Sequence, residues 1–469
     1  MDFVESEYGS VNFGDKRLND RGKLLFRRFS NKPMASIPGS CEGWTETKAA
    51  YRFFGNDLVT AKKVIKPHRV ATFDRISKHP LVLLLQDTSV LNYSGQKARQ
   101  DIGPIQQDNV RGIFLHPMLA VSPNRECLGI VDFEQWSRKQ LKNQSAFERK
   151  AENRRRPLKE KESYRWVRGY KKANRLARAM PETKFVYIAD REGDIYEIYQ
   201  EAQKEFCKSK ADFIIRGIFD RAVLTDAPAN KRNRLKSLIK TSESLGTIKF
   251  IADSRNTKKR EVTQNVYTKE VRLMPPAGKA KNGFPPAKVR VIISIEENPP
   301  PDEKAVEWML LTSLPISDLE SSIKVIEYYL CRWQIEIFFK ILKSGCKIEK
   351  IQIDEQARYD PCLAMYLIVA WRILFLTNLG RAVPNLDSEC VFEAIEWQTA
   401  FVILHKKPPP KKSPTLKEML KMIAELGGFL GRKNDGDPGP AVMWKGLQSL
   451  YEYIRAREAF ETAFNQTYG

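Results

Sequence analysis

The amino-acid sequence predicts an α/β protein, and three observations carry that reading. Two five-residue apolar runs, LVLLL (81–85) and FVYIA (185–189), have the continuous hydrophobicity of buried strands and are each followed closely by an aspartate. Short β-like runs crowd residues 217 to 312. A pattern of helical periodicity, free of Pro and Gly, then extends from Ser317 to Lys343.

Taken in order, residues 1 to about 65 read as helical. GDKRLNDRGKLLFRRF offers Leu18, Leu25 and Phe29 to a core and Lys16, Arg17, Arg21, Lys23, Arg27 and Arg28 to solvent or to a partner. ETKAAYRFF places Tyr51, Phe53 and Phe54 where they can anchor a small core. After LVLLL come the strand candidates GIFLHPMLAV (112–121) and CLGIVDFEQW (127–136). A basic stretch from Arg138 to Arg178, with Arg154, Arg155 and Arg156, begins as a loop and turns helical from Glu160 to Met180. FVYIA follows, with Asp194 placed to cap a helix over roughly 195–207, and then the strand DFIIR (212–216). IKFIAD, EVTQNVYT and AKVRVIISI, separated by polar or Pro/Gly-rich turns, read as an antiparallel insertion before the long helix. For that helix, Ser317 and Glu320 fit a capping box and Gly345 suits its stop. KKPPPKKSP (406–414) is a linker, and helices near 415–426 and 440–463 close the chain.

Composition narrows the function. The chain has 469 residues, enough for two or three domains, and a formal net charge of +22 from 79 Lys and Arg against 57 Asp and Glu. That excess predicts a polyanionic partner, nucleic acid or an anionic membrane surface. The most apolar stretch, Cys362 to Leu376, is too short and too interrupted by Arg372 to span a bilayer, and the acidic MDFVESEYGS is no secretory signal. Nucleic acid is therefore the favoured polyanion and no membrane is expected. Seven scattered cysteines without CxxC spacing read as reduced, buried thiols of a cytoplasmic protein, and four scattered histidines argue against a zinc site.

The chemistry lies in acids and in one helical stripe. Asp87 and Asp190 follow apolar strands, and strand ends of open α/β sheets are where ligands gather. An Asp after a strand is also a routine turn or cap residue. On the long helix, spacings of 3, 4 and 7 align Tyr329, Arg332, Glu336 and Lys343, with Lys340 slightly off centre. Leu330, Trp333, Ile337 and Ile341 form an adjacent apolar stripe for the core. Such a charged stripe is either a solvated face or a metal-ligating carboxylate among phosphate binders. Three acids brought together repel by several kcal/mol at about 4 Å, which a hard divalent cation resolves. Two such ions, roughly 3.5–4 Å apart, can clamp the attacking and leaving oxygens of a phosphoryl displacement.

The order strand–Asp87, strand–Asp190, β insertion, then Tyr-x2-Arg-x3-Glu-x6-Lys at Tyr329, Arg332, Glu336 and Lys343 resembles the bacterial DDE cut-and-paste transposases of the insertion-sequence-four group, of the transposon-five type. QDTS, DREGDIY, KESYRW, EWMLLTS, RWQIE, GDKRL, AAYRF and LGGFLGRKNDG add to the resemblance, which extends over nearly the whole chain. It implies a ribonuclease-H-like catalytic core with an antiparallel β insertion, flanked by a helical DNA-end-binding domain (1–65) and a helical C-terminal dimerisation domain (381–469), the catalytic domain spanning 66–380. It implies Asp87, Asp190 and Glu336 as ligands of two Mg2+ ions, with Mn2+ as a substitute. Tyr329, Arg332, Lys340, Lys343 and Arg216 would hold phosphates near the cut end. Trp308 would receive a flipped base, although a tryptophan in the apolar run WMLLTS is otherwise a core residue. Arg17 and Arg21 would contact the end sequence. The implied partners are double-stranded DNA, as transposon ends and as target, and a second copy of the chain, acting in the cytoplasm on the nucleoid. Two alternatives remain at this stage: a non-catalytic repressor or inhibitor derived from a transposase, and a ribonuclease-H-like nuclease that cuts without joining.

Overall fold

The computed structural model describes residues 2–96, 99, 101–105, 110–138, 152, 155–204, 209–225, 233–252, 260–280, 283–301 and 303–468. Helices α1 (Phe3–Tyr8), α2 (Lys16–Asn31), α3 (Ile37–Ser40), α4 (Trp44–Phe54) and α5 (Ala61–Ser77) precede strands β1 (Leu81–Gln86), β2 (Ser89–Asn92), β3 (Gly112–Val121) and β4 (Cys127–Trp136). Helix α6 (Tyr164–Ala179), β5 (Lys184–Ala189), α7 (Tyr196–Gln203) and β6 (Asp212–Arg216) follow. Next come α8 (Leu235–Lys240), β7 (Gly246–Ala252), β8 (Arg260–Leu273), α9 (Ala277–Ala280), β9 (Ala287–Glu296) and β10 (Glu307–Thr312). Helices α10 (Leu319–Leu330), α11 (Trp333–Lys340), α12 (Gln356–Ala382), α13 (Ala394–His405), α14 (Leu416–Leu426) and α15 (Pro440–Tyr468) complete the order.

The chain divides into two compact units. The first comprises His79–Asp87 and Asn143–Trp333. Here β1 is parallel to β5 and β5 to β6, while β6 pairs antiparallel with β10, and β10, β9, β8 and β7 continue antiparallel. Val82–Leu85 and Phe185–Ala189 have no exposed surface, as continuous apolar strands in a parallel sheet require. Helix α6 packs so closely that a Cβ on Gly169 would lie 1.9 Å from Gln86 Oε1. Gln86 also accepts from Tyr187 Oη at 2.7 Å, so glycine is needed there to let helix and strand touch.

The second unit comprises Met1–Lys78, Thr88–Lys142 and Gln334–Gly469. Its strands β2, β3 and β4 are antiparallel neighbours. Strand β2 was invisible in the sequence, being four residues long and half polar. Helix α12 corrects the expectation of a short apolar segment. It runs 27 residues, a length that reaches across a bilayer, but it is the core helix of this unit, with Cys362–Leu374 all buried. Trp371 Nε1 donates to the Cys127 carbonyl at 2.8 Å, and the Arg372 guanidinium sits 4.2 Å from the Phe3 ring centroid. The N-terminal helices join through a buried network in which His68 Nδ1 meets Glu7, Arg75 Nη1 donates to Glu7 Oε2 at 2.8 Å, and Ile130 N–H donates to His68 Nε2 at 2.9 Å. That last bond keeps Nε2 unprotonated, and burial holds the imidazole below its usual pKa. Phe53 and Phe54 are buried as expected, Tyr51 only half so.

Further readings need correction. The helix over 317–343 is broken: α10 ends at Leu330, a tight turn at Cys331–Arg332 follows, and α11 runs into a π-helical turn over Ile341–Gly345. The cap is Asp318, reciprocated by Ser321, rather than Ser317 with Glu320. The break shifts the phase of α11, so Trp333, expected in the core, is 57% exposed, while Ile335, Phe338 and Phe339 are buried. The helical run does end at Gly345, and a Cβ there would lie 2.8 Å from the Trp444 ring. Among the described cysteines, Cys390 is exposed and the other five are buried. Most of the basic segment 138–160, Arg154 included, lies outside the described residues.

Candidate active site

Strand register builds this site. Leu85 on β1 is level with Ile188 on β5, and Ala189 on β5 with Ile215 on β6. Two residues beyond Leu85, and one beyond Ile215, the same register puts Asp87, Asp190 and Arg216 in one row across three adjacent parallel strands. Neighbouring strands lie about 4.8 Å apart, and residues opposite one another share a face. Antiparallel β10 extends the row, with Leu310 level with Arg216. Trp308, two residues along, falls on the same face by the period-2 rule. The tryptophan is half-buried and stacked on Phe250, with ring centroids 5.9 Å apart, so it is not the core residue its apolar run suggested.

Tyr329 on α10 and Arg332 in its closing turn belong to the same unit as Asp87 and Asp190. Arg332 Nη1 donates to Asp87 Oδ2 at 2.8 Å, with the two side chains 11% and 17% exposed. Tyr329 is 6% exposed, and its buried hydroxyl faces the Arg332 guanidinium. Burial pushes that hydroxyl's pKa up. Arg332 and Arg216 draw it back, and Asp190 adds to the rise, so all three charges are felt at Tyr329. Asp190 Oδ1 accepts from Glu192 N–H at 2.9 Å, and Arg165 binds Glu192 beside it.

Asp194, expected as a helix cap, is not one. Ile195 precedes α7 with no side-chain cap, while buried Asp194 accepts from the N–H groups of Ile218 and Phe219 at 2.9 and 3.2 Å and from Tyr199 Oη at 2.7 Å, and pairs with Arg221.

Glu336 belongs to the other unit, half-buried on α11. Lys340 is exposed, and Lys343 is half-buried within the π-helical turn, its pKa drawn down by burial and up by Glu349. Both irregularities after Leu330 therefore hold a signature cation: Arg332 in the tight turn and Lys343 in the π turn. Single π turns recur at functional sites. Arg17 is exposed and Arg21 half-buried on α2. Among the described residues, no three Asp, Glu, His or Cys side chains gather closely enough to hold a metal ion. Asp87 and Asp190 are the acids that the strand register aligns. Trp333, expected in the core, lies exposed beside Arg332.

Three family models match this chain. "Transposase DNA-binding" matches residues 1–59, "Transposase DDE domain" residues 138–360, and "Transposase Tn5 dimerisation domain" residues 368–466. The chain belongs to the Tn5-like DDE transposases. Asp190 and Glu336 fall inside the DDE match, and Asp87 precedes it. Among solved structures, the cryo-EM structure of the piggyBac transposase synaptic complex with hairpin DNA is similar at 10% identity with a TM-score of 0.36, covering 94% of this chain and 72% of that one. A likeness that slight carries no argument about the fold. The helical N-terminal segment, the central sheet and the C-terminal helices are each compatible with the three matches in their order.

Proposed function

We propose that this transposase cuts transposon ends and joins them to target DNA by divalent-metal-dependent phosphoryl transfer at Asp87, Asp190 and Glu336. The row of Asp87, Asp190 and Arg216 across three adjacent strand ends carries this reading, because it sets two hard oxygen donors beside a phosphate-binding cation. The buried Tyr329 hydroxyl supports it, since Arg332 can only donate to its oxygen, which leaves the O–H hydrogen for a substrate oxygen. Asp87 and Asp190, with Glu336 as third ligand, would hold two Mg2+ ions, or Mn2+ in their place. Those ions, when bound, would stabilise the charge developing on the transferred phosphate.

The chain's own groups then bind and orient. Arg332, Arg216 and Tyr329 would hold the phosphates flanking the cut, with Lys340 and Lys343 further along the strand. Water attacks the phosphodiester at the transposon end and releases a 3′-hydroxyl. That hydroxyl attacks the opposite strand to give a hairpin, which water reopens before the same hydroxyl attacks target DNA. Trp308 would stack on the base extruded at the hairpin, offsetting its unstacking. We assign residues 1–65, with Arg17 and Arg21, to end binding, 66–380 to a ribonuclease-H-like catalytic domain, and 381–469 to dimerisation in a complex acting in the cytoplasm on the nucleoid.

A nicking and strand-transfer assay in Mg2+, on the inverted repeats flanking the reading frame, tests the proposal. Asp87→Ala, Asp190→Ala and Glu336→Ala are each expected to abolish cleavage while sparing end binding. Full activity in any one of them refutes its place in the triad. Cleavage without joined products would instead favour a nuclease, and binding without cleavage a repressor.

A further inference from the structure

The segment that follows β6 is tethered at each residue from 217 to 221, yet it turns two apolar side chains to solvent. Gly217 N–H donates to the Met309 carbonyl at 2.8 Å. The N–H groups of Ile218 and Phe219 both donate to Asp194 Oδ2, at 2.9 and 3.2 Å. Asp220 Oδ1 accepts from Lys236 N–H, and its carbonyl from Arg234 Nη1, each at 2.9 Å. Arg221 Nη2 donates to the Asp194 carbonyl at 2.8 Å and pairs with its carboxylate. Ile218 is nevertheless 51% exposed and Phe219 55%. A buried ion pair contributes little over apolar packing of the same volume, because desolvation offsets attraction. What the Asp194–Arg221 pair does here is fix the shape of this loop. Single exposed apolar residues are ordinary, but these two are adjacent, held rigidly outward and beside the proposed site.

Register gives their place. Arg216 is level with Leu310, and the Gly217–Met309 bond carries the ladder one residue further, so Ile218 is level with Trp308. A Cβ on Gly217 would lie 2.6 Å from side-chain atoms of Met309 and Leu311, which puts that position on the face opposite Arg216, Ile218 and Trp308. Phe219 follows, with the Arg221 guanidinium 5.1 Å from its ring centroid as a brace. Apolar side chains gain nothing from phosphates. They gain from base faces, and Phe and Ile are among the residues that enter between base steps as wedges. A paired target duplex keeps its bases stacked. In the reading above it is the hairpin step that opens the transposon end, at Trp308.

We infer that Ile218 and Phe219 form a wedge that enters the end duplex and fills the place vacated by the base stacked on Trp308. This rests on the transposase reading above. Trp308 receives the base, and the wedge keeps it from returning to the stack.

The test compares the full-length protein with F219A, F219L and I218A. End duplexes carry 2-aminopurine, which brightens on unstacking, at each nucleotide near the cut in turn. They are pre-nicked and end in a 3′-deoxynucleotide, so no hairpin can form while fluorescence is read. Wild type should brighten one position several-fold, and F219A should lose most of that rise. On pre-nicked ends with a normal 3′-hydroxyl, F219A should form hairpins about tenfold more slowly, with end binding and the first nick within about twofold of wild type. F219L should retain most of the rate. An abasic nucleotide at the brightened position leaves no base to extrude, and should bring F219A back to within about threefold of wild type. A merely structural defect would not respond to that change. Hairpins at the wild-type rate in folded F219A, or a defect that the abasic nucleotide leaves in place, overturn the inference. So does an equal loss in strand transfer of a pre-cut end into plasmid, which would put the loop on target DNA. If F219A does not fold, I218A decides by the same readings, with a loss of about threefold expected. A wild type that makes no hairpin sinks that step of the transposase reading, while the 2-aminopurine signal, lost or kept in F219A, still judges the wedge.

Discussion

Asp190 and Asp194 stand at the two ends of one short turn, and they are put to opposite uses. Asp194 is buried with its carboxylate spoken for by Ile218, Phe219, Tyr199 and Arg221. Asp190 is half-buried, level with Asp87 and Arg216 at the strand ends, and one of its oxygens caps the turn by accepting from Glu192 N–H. One acid is consumed in holding the fold and the other keeps capacity for a ligand. Sequence proximity says nothing about which is which; the count of donors already satisfied does.

The widest separation between the two should appear in activity. Asp190→Asn is expected to lower end cleavage by at least about a thousandfold, close to abolition, with a thermal midpoint within about 2 °C of wild type. A large loss of stability would mean that Asp190 is structural too. The reverse holds for Asp194→Ala, which strands the Arg221 guanidinium in a buried site and should cost about 3–5 kcal/mol in denaturant unfolding. A loss below about 1 kcal/mol would show that the turn does not depend on it.

Tyr329 sharpens the contrast, because its buried hydroxyl meets a guanidinium, which donates and cannot accept, so the O–H hydrogen carries a desolvation cost with no return. Tyr329→Phe should leave stability unchanged or raise it by up to about 1 kcal/mol while slowing cleavage about tenfold. Equal stability with full activity would leave the hydroxyl without a role. Trp308→Ala should reduce hairpin product several-fold and spare the first nick; normal hairpins would remove the base-stacking assignment.

The smallest effect expected is on pH dependence, at the buried His68. Its folded pKa lies below the unfolded value, so below about pH 6.5 the unfolded chain binds a proton that the folded one does not. Stability contributed there is complete above that pH and is lost as pH falls. Glu7, whose pKa is also lowered in the fold, extends the loss into the carboxylate range. A stability profile flat between pH 7 and 5 would contradict this.

How much of this was legible follows from the range of the forces involved. Strands β3, β4 and β6 occupy the residues read from the sequence, because a continuous apolar run bounded by turns is a local signal. The row of Asp87, Asp190 and Arg216 was half legible: each residue marks a strand end, but the order β1–β5–β6 comes from long-range pairing. The break at Cys331–Arg332 was not legible, since no Gly or Pro marks it; its residues include Arg332, which is drawn to Asp87, 245 residues away in sequence. The role of Asp194 depended likewise on Arg221, 27 residues on, and a capping rule at short range could not reveal it. The exposure of Trp333 followed from the same unforeseen break.

The tight seat of Gly169 against Gln86 leaves no slack between helix α6 and strand β1. Any displacement of that helix is therefore delivered straight to the strand that ends in Asp87, with no joint between them.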